Sequence, residues 1–207
     1  MNPSFWDQRY AGEDFVFGTA PNEFLRAHAD RIPAGPVLCL GEGEGRNAVF
    51  LASRGHAVTA VDQSAVGLDK ARRLAAQHGL QLTTVTADLA HYAIAPGAWS
   101  AIVVIFLHLL PPLRRQVYTA AAAGLRPGGV FLLEAYTPDQ VRHGTGGPVN
   151  NPEMLLTLAA LRGDLAGLDF EVAQELERDV LEGAAHTGRA AVVQVLARRE
   201  RRHEARS

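Results

Sequence analysis

VLCLGEGEGRNAVFLA, residues 37–52, passes from four apolar residues through three alternating glycines into a helical pattern. A strand that stops at Gly41 and re-forms as a helix near Arg46 is the opening of a βαβ unit. Glycine at positions 41, 43 and 45 permits a tight turn and close approach of the backbone to a ligand. The amides at the start of the following helix favour an anionic group. The same alternation continues along the chain. Apolar runs predict further parallel strands over 57–61, 82–86, 101–106 and 130–135, separated by helical patterns near 46–53, 65–78 and 114–125. Gly55, Gly79 and Gly124 stop these helices, and Pro111 and Pro112 open the last of them.

After Tyr136 the texture changes. Residues 137–152 form a long turn-rich loop, followed by a helical pattern over 153–165. Strand-like runs over 169–176 and 190–197 follow, joined by a loop through 182–188 with no helix between them. Two such strands make a hairpin, so the last runs against the others. The expectation is an α/β, doubly wound, Rossmann-like sheet of seven strands, six parallel and one antiparallel. Residues 1–36 read as an N-terminal helical segment, 37–198 as the sheet domain and 199–207 as a basic tail.

Composition narrows the function classes. The 207 residues carry a net charge of −2 and are 47% hydrophobic, which excludes a disordered chain and argues against a dedicated nucleic-acid binder. One cysteine, Cys39, excludes a disulfide scaffold and any multi-cysteine metal site, so no metal is expected. The longest apolar run, 101–113, is too short to span a bilayer and ends in two prolines, and no secretory signal is visible. A soluble, cytoplasmic protein without membrane contact is expected. All basic residues except Lys70 are arginine, spread along the whole chain, as a codon bias would give.

The turn at Gly41 gains meaning from its neighbours. The second strand ends at Asp62, where a carboxylate can accept both hydroxyl hydrogens of a ribose. The third is followed by Asp88, at the same carboxyl edge where open α/β sheets bind ligands. A dinucleotide fingerprint, G-x-G-x-x-G, fits Gly41 and Gly43 but meets Arg46 at its third glycine, which disfavours a nicotinamide-dependent oxidoreductase.

With GEGEG, Asp62, Asp88, the turn LRPGGVFLLE over 125–134 and the reversed hairpin, the sequence resembles the class I S-adenosylmethionine-dependent methyltransferases. The resemblance implies a cofactor site in which Gly41, Glu42, Gly43 and Gly45 contact the methionine moiety. Asp62 and Gln63 would hold the ribose, and Asp88 and Leu89 the adenine, with Phe106 at the end of the fourth strand. Arg46 and Asn47 face the cofactor carboxylate in this reading, although helix capping alone would account for Asn47. Many members carry an acid where this chain has Cys39, which leaves Glu42 as the carboxylate for the cofactor ammonium. GEGEGRN together with the N-terminal FWDQRYA and FGTAPNEFL is similar to the branch containing tellurite-resistance methyltransferases. There the N-terminal segment covers the cofactor; Trp6, Tyr10, Phe15 and Phe17 suit such a lid, or an ordinary packed helix.

Methyl transfer requires an acceptor held in line and water excluded; a base is needed only for an acceptor protonated at neutral pH. His186 and Arg189, in the hairpin, and His108 and Tyr136, after the fourth and fifth strands, are the catalytic candidates. His108 also reads as a core histidine, Tyr136 as a buried aromatic and His143 as a loop residue. The acceptor is expected to be a small molecule or soft anion, because little chain lies outside the core domain. A nucleic-acid or protein methyltransferase and a non-catalytic cofactor-binding protein are the alternatives. Against an adenine-specific enzyme, the run FLHLLPP over 106–112 lacks a polar group and an aromatic in register.

Overall fold

The computed structural model describes residues 3–183 and 186–201; the end of the basic tail lies outside them. Seven strands form one sheet: β1 Pro36–Leu40, β2 Ala57–Asp62, β3 Thr83–Thr86, β4 Trp99–Ile105, β5 Leu125–Tyr136, β6 Leu168–Leu181 and β7 Thr187–Arg199. Their order is β3-β2-β1-β4-β5-β7-β6, with β7 antiparallel to both of its neighbours and the other pairs parallel. The six helices are α1 Pro3–Tyr10, α2 Glu23–His28, α3 Arg46–Ser53, α4 Ala65–Gln77, α5 Pro111–Gly124 and α6 Leu158–Asp164.

Strand β1 shows why the sheet is covered on both faces. Val37 and Cys39 pack with Leu25 of α2, Leu51 of α3 and Leu68 of α4. Leu38 and Leu40 point the other way, into a core with Tyr118 of α5 and Leu161 of α6. A strand buried on both sides reads as a continuous apolar run, as 37–40 does.

The fifth helix begins at Pro111, as the two prolines imply, since a missing N–H costs nothing in the first turn. Other boundaries depart from the sequence reading. The sixth is shorter than the run 153–165, because the Leu156 amide donates to the Tyr136 carbonyl and Thr157 caps the helix through Ala160. The hairpin is longer: β6 and β7 pair from Leu168–Arg199 to Leu181–Thr187. Its charged outer positions on the edge strand, where side chains reach solvent, hid that length from the apolar pattern.

The N-terminal segment is fastened to the sheet domain by the one lysine. Lys70 is buried in α4, where its Nζ donates to the carbonyls of Gly12 (2.9 Å) and Asp14 (2.6 Å) and pairs with Glu44 at 2.6 Å. The Phe15 ring lies 5.0 Å from the same ammonium. Asp7 of α1 accepts from Ser64 Oγ at 2.6 Å, at the start of α4. Lys70→Met leaves the Glu44 carboxylate buried without its cation and should cost ~3–5 kcal/mol in urea unfolding. Hydrogen exchange should accelerate first over residues 10–17; uniform acceleration across the sheet would contradict this anchoring role.

Candidate active site

A cavity of about 470 Å³ opens at the carboxyl edge of β1, β2 and β4, under α1. Gly41, at φ +66°, begins the turn after β1, and the amides of Gly41 and Glu42 both donate to the Val61 carbonyl. Asp62 is buried in the wall; its Oδ2 accepts from Gly43 N at 2.9 Å and its Oδ1 from Ser64 N at 2.8 Å. The Gln63 amide bonds the carboxylate as well, which leaves it acceptor capacity for a ligand hydroxyl. Burial raises the pKa of Asp62, against the pull of those amides. Asp88 lines the cavity with Oδ1 on the Ala90 amide at 2.9 Å, beside Leu89; Gln63 lines it as well.

Glu42 occupies the helix start. Its Oε1 accepts from Asn47 N at 3.0 Å and Ala48 N at 2.8 Å, so the anion drawn to the start of α3 is the protein's own carboxylate. Burial nonetheless pushes this carboxyl up to about 7, against the stabilising amides of Ala48 and Asn47 and the charge of Arg46. Asn47 is not a cap: its Oδ1 accepts the Asn22 amide at 2.9 Å, while Gly45 holds the cap position.

Two of the three glycines serve intramolecular packing. A Cβ on Gly43 would lie 2.7 Å from the Tyr10 hydroxyl, and one on Gly45 would lie 2.5 Å from the Ala71 side chain on α4. Neither residue stands in the cavity wall, whereas Gly41 and Glu42 do. Phe106 also lines it, at φ +51°, the one described non-glycine residue with positive φ. Such strain costs ~1–3 kcal/mol and gathers at ligand sites.

The roof comes from the N-terminus. Phe5, Trp6, Arg9 and Tyr10 of α1, with Phe17 beyond it, line the cavity. Gly183 in the hairpin turn packs on this strap so closely that a Cβ would meet the backbone of residues 16–18 at 2.5 Å. The far wall is Leu109, Leu113, Pro148 and Met154.

The catalytic candidates divide. His186 lines the cavity, with its ring centroid 4.5 Å from Phe17, 4.7 Å from Phe106 and 5.5 Å from Tyr136. Burial, aided by Arg46, His108, Arg9 and Arg178, lowers its pKa to about 3. His108 also lines the cavity, but its Nε2 accepts the Tyr136 amide at 3.2 Å and its ring bonds the Phe106 backbone, so it behaves as a core histidine. Tyr136 is buried behind Phe106 and His186, outside the wall itself. Arg189 is not brought to the site. Its guanidinium pairs with Glu177 at 3.4 Å and Asp179 at 3.7 Å on the outer surface of the hairpin, because residue 189 faces β6 neighbours of opposite charge. His143 likewise faces Glu177.

A buried network was not anticipated from the sequence. Arg178 of β6 donates through Nε to Glu134 Oε1 at 2.7 Å and through a terminal nitrogen to Glu134 Oε2 at 2.9 Å and Glu182 Oε1 at 3.1 Å. Glu182 also pairs with Arg46, and Asn22 Nδ2 donates to both Glu134 and Glu182. Gln194 Nε2 completes the shell of Glu134 at 2.8 Å. These residues recur at no motif spacing; only the odd sight of a glutamate inside the apolar run of β5 signalled a partner.

A family model described as "Methyltransferase domain" matches residues 37–129. The chain is 29% identical to the 2-heptyl-1-hydroxyquinolin-4(1H)-one methyltransferase of Mycobacteroides abscessus over 72% of its own length and 67% of the relative's. It is 31% identical to the tRNA 5-carboxymethoxyuridine methyltransferase of Escherichia coli K12, over 58% of this chain and about half of that one, 51%. Among solved structures, one from work on conversion of a disulfide bond into a thioacetal group during echinomycin biosynthesis aligns with a TM-score of 0.76 at 21% identity. That alignment covers 98% of this chain and 94% of the other. TehB from Haemophilus influenzae aligns with a TM-score of 0.69 at 17% identity, over 96% and 67% of the two chains. The family match spans the strands and turns that build the acidic end of the cavity, so residues 37–129 match a methyltransferase domain and the whole chain shares the fold of these solved structures.

Proposed function

We propose that this protein methylates a small, largely apolar acceptor bound between α1, the loop at Pro148 and the hairpin turn that carries His186. The supporting observation is one cavity lined both by the strand-end acids Asp62, Asp88 and Glu42 and by the ring cluster of Phe17, Phe106 and His186.

The residues present suit S-adenosylmethionine. Asp62 has acceptor capacity for ribose hydroxyls, with Gln63 beside it, and Asp88 and Leu89 take the adenine. Glu42, Gly41 and Arg46 face the amino-acid end, with Asn47 holding the strap above it. The sulfonium supplies the methyl group; the chain aligns the acceptor and excludes water with the strap of residues 5–18. Tyr10 and Phe17 act in this reading as parts of the lid, and residues 1–36 as a closing segment on the domain of residues 37–198. The quinolone relative and the tellurite-resistance likeness both support a small-molecule acceptor. A tRNA acceptor is the second reading, favoured by the Escherichia coli relative, and tRNA belongs in the acceptor panel. No helix of the described residues is long and apolar enough to cross a membrane, and the one buried, free cysteine suits the cytoplasm.

Asp62→Ala should weaken S-adenosylhomocysteine binding by ~2–3 kcal/mol in calorimetry, through loss of charge-assisted bonds. Undiminished binding would count against the site. His186→Ala should slow turnover ~10-fold or more while cofactor affinity holds within about twofold. Arg189→Ala, its side chain turned to the outer surface, should stay within about twofold on both measures.

Glu42 sets a pH signature. Its raised pKa means the folded state holds a proton that the unfolded state has lost, so its contribution to stability falls as pH rises toward and through about 7. The melting temperature of Glu42→Gln relative to the parent should therefore rise from pH 5 to pH 8 without ligand. A ligand ammonium beside Glu42 should offset the loss, so the shift induced by S-adenosylhomocysteine should grow with pH in the parent and stay flat in the variant. A pH-independent difference would remove Glu42 from this role.

A further inference from the structure

The acceptor end of the cavity holds groups that resemble bases, and none can take a proton near neutral pH. His108 has spent both ring nitrogens on the backbone at Phe106 and Tyr136. The Tyr136 hydroxyl is pushed upward, by burial first and then by Glu182 and Glu134, so it does not ionise. His186 keeps Nδ1 without a hydrogen-bond partner among the described residues. Yet this ring is enclosed by Phe17, Phe106 and Tyr136 and remains neutral.

The carboxylates in the wall are committed elsewhere. Glu42 caps α3, Glu44 is paired with Lys70, and Asp62 and Asp88 accept backbone amides. Around His186 the charged groups are Arg9 from α1, Arg46 from α3, Glu134 from β5, Arg178 from β6 and Glu182 from the turn. The two glutamates are consumed by Arg46 and Arg178. Arg9 has no carboxylate partner among the described residues; its guanidinium lies 5.6 Å from the Phe17 ring centroid, with His186 on the same ring. Burial is the first reason this imidazole stays neutral; the positive charges of Arg46, Arg9 and Arg178 add to it, and it is these charges that favour an anion placed against the ring.

We infer that the acceptor is methylated as an anion formed without a protein base: a thiol, or an acidic O–H of the phenol or N-hydroxy type, whose heteroatom meets His186 with Arg9 as its counter-charge. This rests on the methyltransferase reading above. The acceptor's proton leaves to water before the transfer. As the new bond to the methyl carbon forms, the carbon–sulfur bond breaks with its electron pair going to sulfur, and the two opposite charges cancel. The neutral His186 donates its one N–H to the anion and positions it.

The test reads ionisation directly. With S-adenosylhomocysteine bound, 4-nitrophenol and 4-nitrothiophenol are titrated by their visible absorbance in the presence and absence of excess protein. The bound probe should ionise about tenfold more readily than the free one, and Arg9→Gln should abolish the difference while Arg9→Lys retains most of it. A bound probe that ionises no more readily than in water, or equal behaviour in Arg9→Gln, overturns the proposal. So does failure of aryl thiols, phenols and N-hydroxy heterocycles to bind at pH 9 while calorimetry shows the cofactor site intact. Loss of S-adenosylhomocysteine binding in the parent protein would instead refute the methyltransferase reading beneath it.

Discussion

Glu134, Arg178, Glu182 and Arg46 place four charges in the protein interior at the point where strand ends, hairpin turn and N-terminal strap converge. Desolvation makes such a group a weak source of stability, since apolar replacements of the same shape often serve as well. Its strength lies in selectivity of arrangement. Each carboxylate is satisfied only when β6, α3 and Asn22 all arrive together, and a misplaced hairpin leaves a buried charge bare. The turn carrying His186 is held by this requirement, with the Glu182 amide donating to the His186 carbonyl at 2.7 Å. Cavity wall and hairpin turn therefore share one framework, because Arg46 lines the cavity and pairs with Glu182 of the turn.

The sheet was legible because β1 and most of β2 and β4 are buried on both faces and read as near-continuous apolar runs. The carboxyl-edge acids were legible for a related reason. Topology sends every parallel strand to the same edge, so Asp62 and Asp88 had to meet. Beyond that edge, periodicity says little. Arg189 was placed in the site from the hairpin's position, but strand alternation decides the face, and its charge partners on β6 turn it outward. Gly43 and Gly45 read as ligand glycines from the turn alone, and the pattern does not show that Tyr10 and Ala71 also leave no room there for a Cβ. Lys70, Asn22 and Arg178 make contacts 44 to 160 residues distant in sequence, and no local pattern announces such partners.

The cavity separates two electrostatic tasks. Carboxylates tied to backbone amides line it at the strand ends, where they can accept from hydroxyls and amines. The other end is walled by aromatic rings and neutral imidazoles, with positive charge beyond them. In a low-dielectric pocket such a division acts over short range with little screening by water. The strap of residues 5–18 completes both ends at once, because Tyr10 lies over the glycine turn and Phe17 over His186.

Burial of the chain's single lysine has a practical side. Amine-acylating reagents find no lysine side chain on the surface of the folded protein, since Lys70 is enclosed by the carbonyls of the strap and by Glu44. The ammonium becomes reactive only when the strap lifts. Acylation at Lys70, followed by mass spectrometry, would time each opening of the cavity roof without any label being introduced.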